Sequence, residues 1–457
     1  MAKSKTYYEC GSCGHTSAKW LGLCPSCGEW HTFQERKEEK TPPEKHKIDI
    51  GPGNGKIEPE KLNRISFSEE NRFRTGVGEL DRVLGGGFMP SSLILLGGDP
   101  GIGKSTLMLQ IAKANPDLRM LYVAGEESAG QIRQRADRIG IKGSEMKVLS
   151  LTDLDRVIEV AKDEKPDLLV IDSIQTIYRS HLGSLPGSIQ QIRECAALLQ
   201  QLAKREGITT LMIGHVTKEG DIAGPRILEH MVDTVLQFEG DQSNLHRLLR
   251  SVKNRFGAAH EVGVFEMNDQ GLKEVTNPSE LFLSGMDQNV SGNVVTCIME
   301  GSRPLLVEVQ ALVTPSNYGT PQRTASGFDQ RRLSLLLAVL EKRAGLAFSG
   351  QDVYLNIAGG FKITDTAADT AVCCALASSL KDVPLISDAI VVGEVGLGGE
   401  VRMVSHMEPR LKEGKKMGFK KALVPEKATA GRTNMDLLRV KYIHQAISKA
   451  LARNSHK

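Results

Sequence analysis

Gly97-Gly98-Asp99-Pro100-Gly101-Ile102-Gly103-Lys104-Ser105-Thr106 follows the apolar run Leu93-Ile94-Leu95-Leu96 and leads into Leu107-Met108-Leu109-Gln110-Ile111-Ala112. The order is strand, glycine-rich turn, helix. From Gly98 to Ser105 the spacing is G-x-x-x-x-G-K-[ST] without a mismatch, which is the P-loop pattern. The glycines let the backbone curl so that its N–H groups face a triphosphate, and the positive end of the next helix points at the same anion. Lys104 is expected to reach the β- and γ-phosphates, and the Ser105 hydroxyl to ligate Mg²⁺. The stretch from Gly98 through Asp99, Pro100, Gly101, Ile102 and Gly103 to Thr106 is therefore the predicted nucleotide site.

The chain after this stretch keeps alternating. Met120-Leu121-Tyr122-Val123-Ala124 reads as a strand ending at Gly125-Glu126-Glu127-Ser128, and a helix follows from Gln131 to Ile139. Asp167-Leu168-Leu169-Val170-Ile171-Asp172-Ser173 is an apolar strand ending in an acid, the Walker B pattern, with Asp172 expected to hold Mg²⁺ through water. A helix over 188–205 and a strand from Thr209 to Ile213 come next, with a polar ending at Gly214-His215. Strands alternating with helices imply a mainly parallel sheet with the nucleotide at the strand carboxyl ends. Glu126 or Glu127 is expected at the end of the strand next to the P-loop strand. There a carboxylate can orient or deprotonate the attacking water, or act as a helix N-cap acid. Upstream, a short helix from about Glu79 ends at Gly85-Gly86-Gly87.

Three further stretches carry cations on loops. Tyr178 to Gly187 contains Arg179, and Lys218 to Arg226 contains Lys218 and Arg226. In a ring-shaped enzyme both loops would project into the bore and grip a phosphate backbone; otherwise they are ordinary surface loops. Lys253-Asn254-Arg255-Phe256-Gly257 lies between two short alternating strands. Two cations separated by one residue on a strand point the same way. They are expected to reach out of their own subunit and complete a neighbour's site as an arginine finger and its partner, the alternative being a solvated hairpin tip.

At 457 residues the chain is too long for one core, and two or three domains are expected. The formal charge of +3 announces no global nucleic-acid affinity, although a basic groove remains compatible with it. The amino terminus has no apolar signal core and no stretch is long enough to span a membrane, so a cytoplasmic protein without membrane partners is expected. Cys10, Cys13, Cys24 and Cys27 form two C-x-x-C-G knuckles, the spacing of a tetrahedral zinc site whose metal would supply the folding energy of so small a module. A redox pair or a disulfide clip are the alternatives. Trp20, Trp30 and Phe33 stand either to pack beside the metal or to form a stacking surface. The resulting division is a zinc finger at 1–35, a flexible linker at 36–64, an ATPase domain at 65–272, a connection at 273–291 and a separate α+β domain at 292–457. The fold class is a multidomain α/β protein.

The P-loop, the Lys253–Gly257 stretch and the paired knuckles together resemble the bacterial RadA (Sms) family of DNA repair and recombination proteins over essentially the whole chain. The resemblance implies a four-cysteine zinc finger, a RecA-like ATPase core and a carboxyl-terminal domain similar to the proteolytic domain of Lon. It places Glu126, rather than Glu127, where such families carry their catalytic glutamate, and His215 where they carry a γ-phosphate sensor. Lys253-Asn254-Arg255-Phe256-Gly257 is similar to the family's signature motif and to the trans-acting tip of hexameric helicases. The implied activity is a DNA-dependent, helicase-like ATPase using ATP, Mg²⁺ and Zn²⁺. It would form a hexameric ring, engage single-stranded and branched DNA, and promote branch migration beside a RecA-type recombinase. Against the Ser–Lys dyad of Lon proteases, this chain has Ala367 at the nucleophile position and Glu408 at the lysine position, so an inactive scaffold is expected. An ATP-dependent protease acting through Ser378 or Ser379, and an ATPase ring regulating protein partners with the zinc knuckle as a docking module, are the rival readings.

Overall fold

The computed structural model describes residues 6–11, 16–25, 28–37, 61, 72–215, 227–240, 246–283, 285, 289–316, 319–360, 362–429, 431 and 433–451. Cys13, Cys27, Lys218, Arg226 and nearly all of the expected linker lie outside the described residues. The chain divides into two compact units, residues 1–259 with 265–274, and residues 260–264 with 275–457.

The first unit begins with a small antiparallel sheet in the order β2-β1-β3, built from β1 (Thr6–Cys10), β2 (Thr16–Ser17) and β3 (Phe33–Lys37). Its buried residues are Cys10, Cys24 and Phe33, with Tyr8 and Leu21 packed against them.

The ATPase core follows as α1 (Gly78–Leu84), β4 (Leu93–Gly97), α2 (Lys104–Ala114), β5 (Met120–Ala124), α3 (Ala129–Arg138), β6 (Lys147–Leu149), α4 (Leu154–Glu164), β7 (Leu168–Asp172), α5 (Ile189–Glu206), β8 (Thr209–Ile213), α6 (Ile227–Met231), β9 (Thr234–Glu239), β10 (His246–Asn254), β11 (Val262–Asn268) and β12 (Gly271–Glu274). The sheet has nine strands in the order β12-β11-β10-β9-β4-β8-β7-β5-β6. From β9 to β6 all neighbours are parallel; β10 joins β9 antiparallel and β12 pairs β11 antiparallel. Alternation along each strand feeds two cores. Leu93 and Leu95 pack with Val123, Ile171 and Leu199 on one face, while Ile94 and Leu96 pack with Leu107, Tyr122 and Val170 on the other.

One expectation changes here. The strand that ends at Glu126 is not beside the P-loop strand: β4 lies between β8 and β9, and β5 lies beyond β7. Crossover connections set the order of parallel strands, and sequence order does not report it. Glu126 nevertheless reaches the P-loop because all these strands point their carboxyl ends the same way.

Helix starts are written in side chains. Ser128 and Gln131 form a capping box at α3, Asp153 caps α4 and Ser188 caps α5. Gly125, between β5 and Glu126, tolerates no side chain, because a Cβ there would collide with the Thr176 hydroxyl.

The second unit adds α7 (Pro278–Phe282), β13 (Asn293–Glu300), β14 (Arg303–Pro315), β15 (Arg323–Ser326), α8 (Gln330–Ala344), β16 (Gln351–Ile357), α9 (Asp369–Lys381), β17 (Ala389–Val391), β18 (Glu394–Val395), β19 (Val401–Arg402), α10 (Met407–Lys416), β20 (Lys421–Pro425), β21 (Asp436–Val440) and α11 (Ile443–Ala450). Seven strands form a mixed sheet ordered β15-β16-β14-β13-β17-β20-β21. The segment read as a connection belongs to this unit: Ser279 on α7 donates to Glu413 at 2.8 Å and accepts from the Leu306 amide at 3.2 Å. Among the described residues no helix is long and apolar enough to cross a membrane.

Candidate functional site

A cavity of about 710 Å³ opens at the P-loop, lined by Lys104, Ser105, Glu126, Glu127, Asp172 and His215 among others. Lys104 is the first residue of α2 and is almost wholly buried. Its Nζ donates to the carbonyl oxygens of Gly98 at 2.7 Å and Asp99 at 2.9 Å, and stands 3.3 Å from His215 Nδ1. Burial draws the ammonium down to about 8, against the opposing pull of Asp172, Asp99 and Glu126. It is a cation held by neutral carbonyls, ready to exchange them for an anion. Gly103, at φ +119°, precedes it, and a Cβ there would press on Met267 Cε, so only glycine lets the loop close under the helix.

Ser105 Oγ donates to Asp172 Oδ2 at 2.7 Å. The Tyr122 hydroxyl, from the neighbouring strand β5, donates to the same carboxylate oxygen. Burial and the Asp172 charge push the Tyr122 phenol far up, so it stays protonated and remains a donor. A hydroxyl beside a carboxylate is a hard-oxygen pair of the kind that suits Mg²⁺ with its water shell. The donor set thus fits a magnesium–triphosphate: ammonium and loop amides for the phosphates, Ser105 and Asp172 for the cation.

Glu126 is fixed from two sides. Its Oε1 accepts from Ser173 Oγ at 2.5 Å and lies 3.1 Å from His215 Nε2. His215 therefore bridges Lys104 and Glu126 through its two ring nitrogens. Glu127 is turned instead to Arg135, at 2.5 Å. Neither Tyr122 nor Ser173 figures in the motif reading. The available signal was a lone tyrosine inside an otherwise apolar strand, and a serine directly after the Walker B acid.

Other expected site residues stand apart from this cavity. Lys253 Nζ donates to the carbonyls of Glu229 at 2.6 Å and Val232 at 2.8 Å, and Arg255 Nη1 is 3.4 Å from Asp233 Oδ1. Burial, then the Arg255 charge, lowers the Lys253 ammonium. Asn254 donates to the Leu84 carbonyl and accepts from the Phe256 amide; Gly257 packs against Gly85. Both cations thus turn onto residues 229–233 of their own chain, where the sequence suggested an outward-reaching tip; carbonyls and a buried carboxylate there offer them partners. Arg255 stays half exposed. Arg179, expected to face a bore, forms an ion pair with Asp155 at 2.9 Å. Its loop is strapped by Gln191, which bonds the backbone of Arg179 and Ser184.

In the small amino-terminal sheet, Cys10 and Cys24 are both about 1% exposed, and Cys10 Sγ is 3.0 Å from Thr32 Oγ1. Among the described residues no group of three or more potential ligands assembles. Two of the four expected thiolates, Cys13 and Cys27, fall outside those residues.

In the second unit Ala367 is fully buried in an apolar cluster with Met407 and Leu411, and Glu408 is paired with Lys412 at 2.8 Å. The alternative nucleophiles are structural. Ser378 Oγ donates to the Val383 carbonyl at 2.6 Å and accepts from the Gly292 amide; Ser379 Oγ accepts from the Val313 amide.

Comparison with known proteins agrees with this architecture. A family model described as an AAA domain matches residues 58–221, one described as a rubredoxin metal binding domain matches 8–35, and one described as subunit ChlI of Mg-chelatase matches 319–428. The chain is similar to the DNA repair protein RadA of Bacillus subtilis, at 47% identity over 99% of this chain and all of the relative. The RadA of Pseudomonas aeruginosa is 50% identical over 93% of this chain and 94% of the relative. That of Synechocystis is 45% identical over the whole of this chain and 96% of the relative. An N-terminal zinc ribbon, a RecA-like P-loop ATPase and a Lon- and ChlI-like carboxyl-terminal domain make up the molecule.

Proposed function

The chain belongs to the family of DNA repair proteins named RadA, and from that premise we propose that it is a DNA-dependent ATPase motor that binds single-stranded DNA and drives branch migration of recombination intermediates. The observation that carries this reading is the single cavity holding Lys104, Ser105, Asp172, Glu126 and His215 within one connected hydrogen-bond network.

On ATP binding Lys104 exchanges the Gly98 and Asp99 carbonyls for the β- and γ-phosphate oxygens. Bound Mg²⁺ would neutralise developing charge on those oxygens, held by Ser105 directly and by Asp172 through water. Glu126 orients the attacking water and takes its proton as the γ-phosphoryl group transfers and ADP leaves. Ser173 and His215 keep the Glu126 carboxylate aimed. His215, bonded to both Lys104 and Glu126, is placed to report the γ-phosphate. In a ring, which we take to be hexameric, Lys253 and Arg255 leave residues 229–233 and complete a neighbour's site. Cys10, Cys13, Cys24 and Cys27 hold zinc, which would supply the ribbon's folding energy. The second unit acts as a scaffold without protease chemistry, and a RecA-type recombinase is the natural partner.

The test is steady-state ATP hydrolysis with and without single-stranded DNA at two salt concentrations. Stimulation by DNA that fades as salt rises supports phosphate-backbone contact coupled to the site. Turnover indifferent to DNA at low salt overturns the motor reading in favour of an ATPase ring acting on protein partners.

A further inference from the structure

The chain has two tryptophans, and both lie on the ribbon. The sequence grouped them with Phe33; the structure separates them from it. Phe33 is buried in the ribbon's small core, whereas Trp20 is 50% exposed and Trp30 66% exposed. Indoles carry the largest apolar area of any side chain, and leaving two of them in water on so small a module is costly unless something covers them.

The two rings are held together. The backbones of Leu23 and Trp30 form an antiparallel bridge, and the His31 amide donates to the Gly22 carbonyl at 2.8 Å. The indole edges converge over Gly22: a Cβ built there would lie 3.7 Å from Trp30 Cζ3 and 3.8 Å from Trp20 Cζ3. The imidazole of His31 stands near both, with ring centroids 6.0 Å from Trp20 and 6.2 Å from Trp30, tilted by 36° and 42°. Three rings therefore fan out around one glycine, with the exposed Lys19 next to Trp20 in the chain. Residues 1–37 carry five cations (Lys3, Lys5, Lys19, Arg36, Lys37) against three acids (Glu9, Glu29, Glu35).

We propose that Trp20, His31 and Trp30 form a stacking platform for the unpaired bases of single-stranded DNA, an inference that rests on the DNA-dependent reading above. Every base has a π-face, so tilted, open rings in a mildly basic setting suit a strand of any sequence. A duplex keeps its bases stacked on one another and offers no such face. The His31 ring is tilted against both indoles, and the positive balance favours a polyanion over a neutral protein surface.

The full-length chain supplies its own probe, because all tryptophan emission comes from this platform. Unlabelled oligothymidylate is titrated while emission is followed, and the same oligonucleotide with a fluorescent label reports binding by anisotropy. The expected result is quenching of tryptophan emission that tracks the anisotropy curve. Replacing both rings, Trp20→Ala with Trp30→Ala, should weaken binding about ten- to a hundredfold while leaving the dependence of log affinity on log salt unchanged, since no phosphate contact is lost. The pair Trp20→Phe with Trp30→Phe should keep most of the affinity, which separates lost stacking from a misfolded ribbon. If anisotropy saturates while emission stays constant, or the alanine pair binds as tightly as the parent, the platform does not stack bases. Its open rings then dock a protein, and the DNA reading survives. If the alanine pair instead flattens the salt dependence, charge and not stacking was lost. If anisotropy never rises, the platform and the DNA reading fail together.

Discussion

Lys104 opens α2 after the glycine-rich turn and Asp369 opens α9 after a 3-10 turn at Thr366–Ala368, and their surroundings are opposite. At Lys104 the charged groups face a cavity and hold exchangeable partners: an ammonium on two backbone carbonyls, a carboxylate on Ser173 and His215. At Asp369 the charges are closed on one another. Arg332 is paired with Asp369, whose carboxyl is still pushed up by burial, and the fully buried Arg410 is paired with Asp365 at 2.7 Å and donates to the Cys297 carbonyl. Between these pairs Ala367 is sealed in apolar packing. Partners around Lys104 are weak enough for a ligand to replace, whereas those around Asp369 are saturated.

The largest effect that would break this contrast is on turnover. Lys104→Ala should cut ATP hydrolysis by about a hundredfold or more, as expected for a lost charge-stabilising donor. Ala367→Ser should in the same preparation give no peptide-bond cleavage, read with a casein substrate, because Glu408, at the position of the dyad lysine, is an acid held by Lys412. Next in size, Arg410→Met removes the counter-ion of Asp365, whose carboxylate keeps only the Met299 and Ala367 amides, and should cost about 3–5 kcal/mol of stability in thermal unfolding. The double change Arg410→Met with Asp365→Asn should recover much of it. A third test uses pH. Because the nucleotide-free Lys104 loses its proton near 8 while a bound triphosphate requires it, binding takes up a proton above that pH. ATP affinity should be flat below pH 8 and then fall, by at most about tenfold per pH unit, which nucleotide titrations across the alkaline range would read. The smallest expected effect sharpens the role of Tyr122. Tyr122→Phe removes one of two donors on Asp172 Oδ2, and should raise the Mg²⁺ concentration needed for half-maximal turnover by about two- to tenfold, with folding unchanged.

What the sequence revealed was local. The P-loop, the Walker B strand and the order of helices are written in contiguous residues, because glycine, apolar runs and caps act within a few positions of themselves. The pieces of the site that stayed hidden are tertiary. Tyr122 meets Asp172 because β5 and β7 pair in register, Ala124 opposite Asp172, and nothing in either strand alone says so. Ser173 finds Glu126 across the same register. Arg179 and Lys253 read as available cations, and Asp155, Glu229 and Val232, distant in sequence, take them up in the folded chain. Ala367 and Glu408 were legible at the two dyad positions, whereas the charge pairs that fill that region were not.

The most direct measurement compares Glu126→Gln with Glu127→Gln, two adjacent carboxylates that line one cavity and differ in what holds them. Glu126→Gln should bind a fluorescent ATP analogue within about twofold of the parent yet lose about a hundredfold or more in turnover. Glu127→Gln, whose side chain serves the ion pair with Arg135, should keep most of its activity. Normal hydrolysis by Glu126→Gln, or a loss that falls on Glu127→Gln instead, would contradict this division of roles.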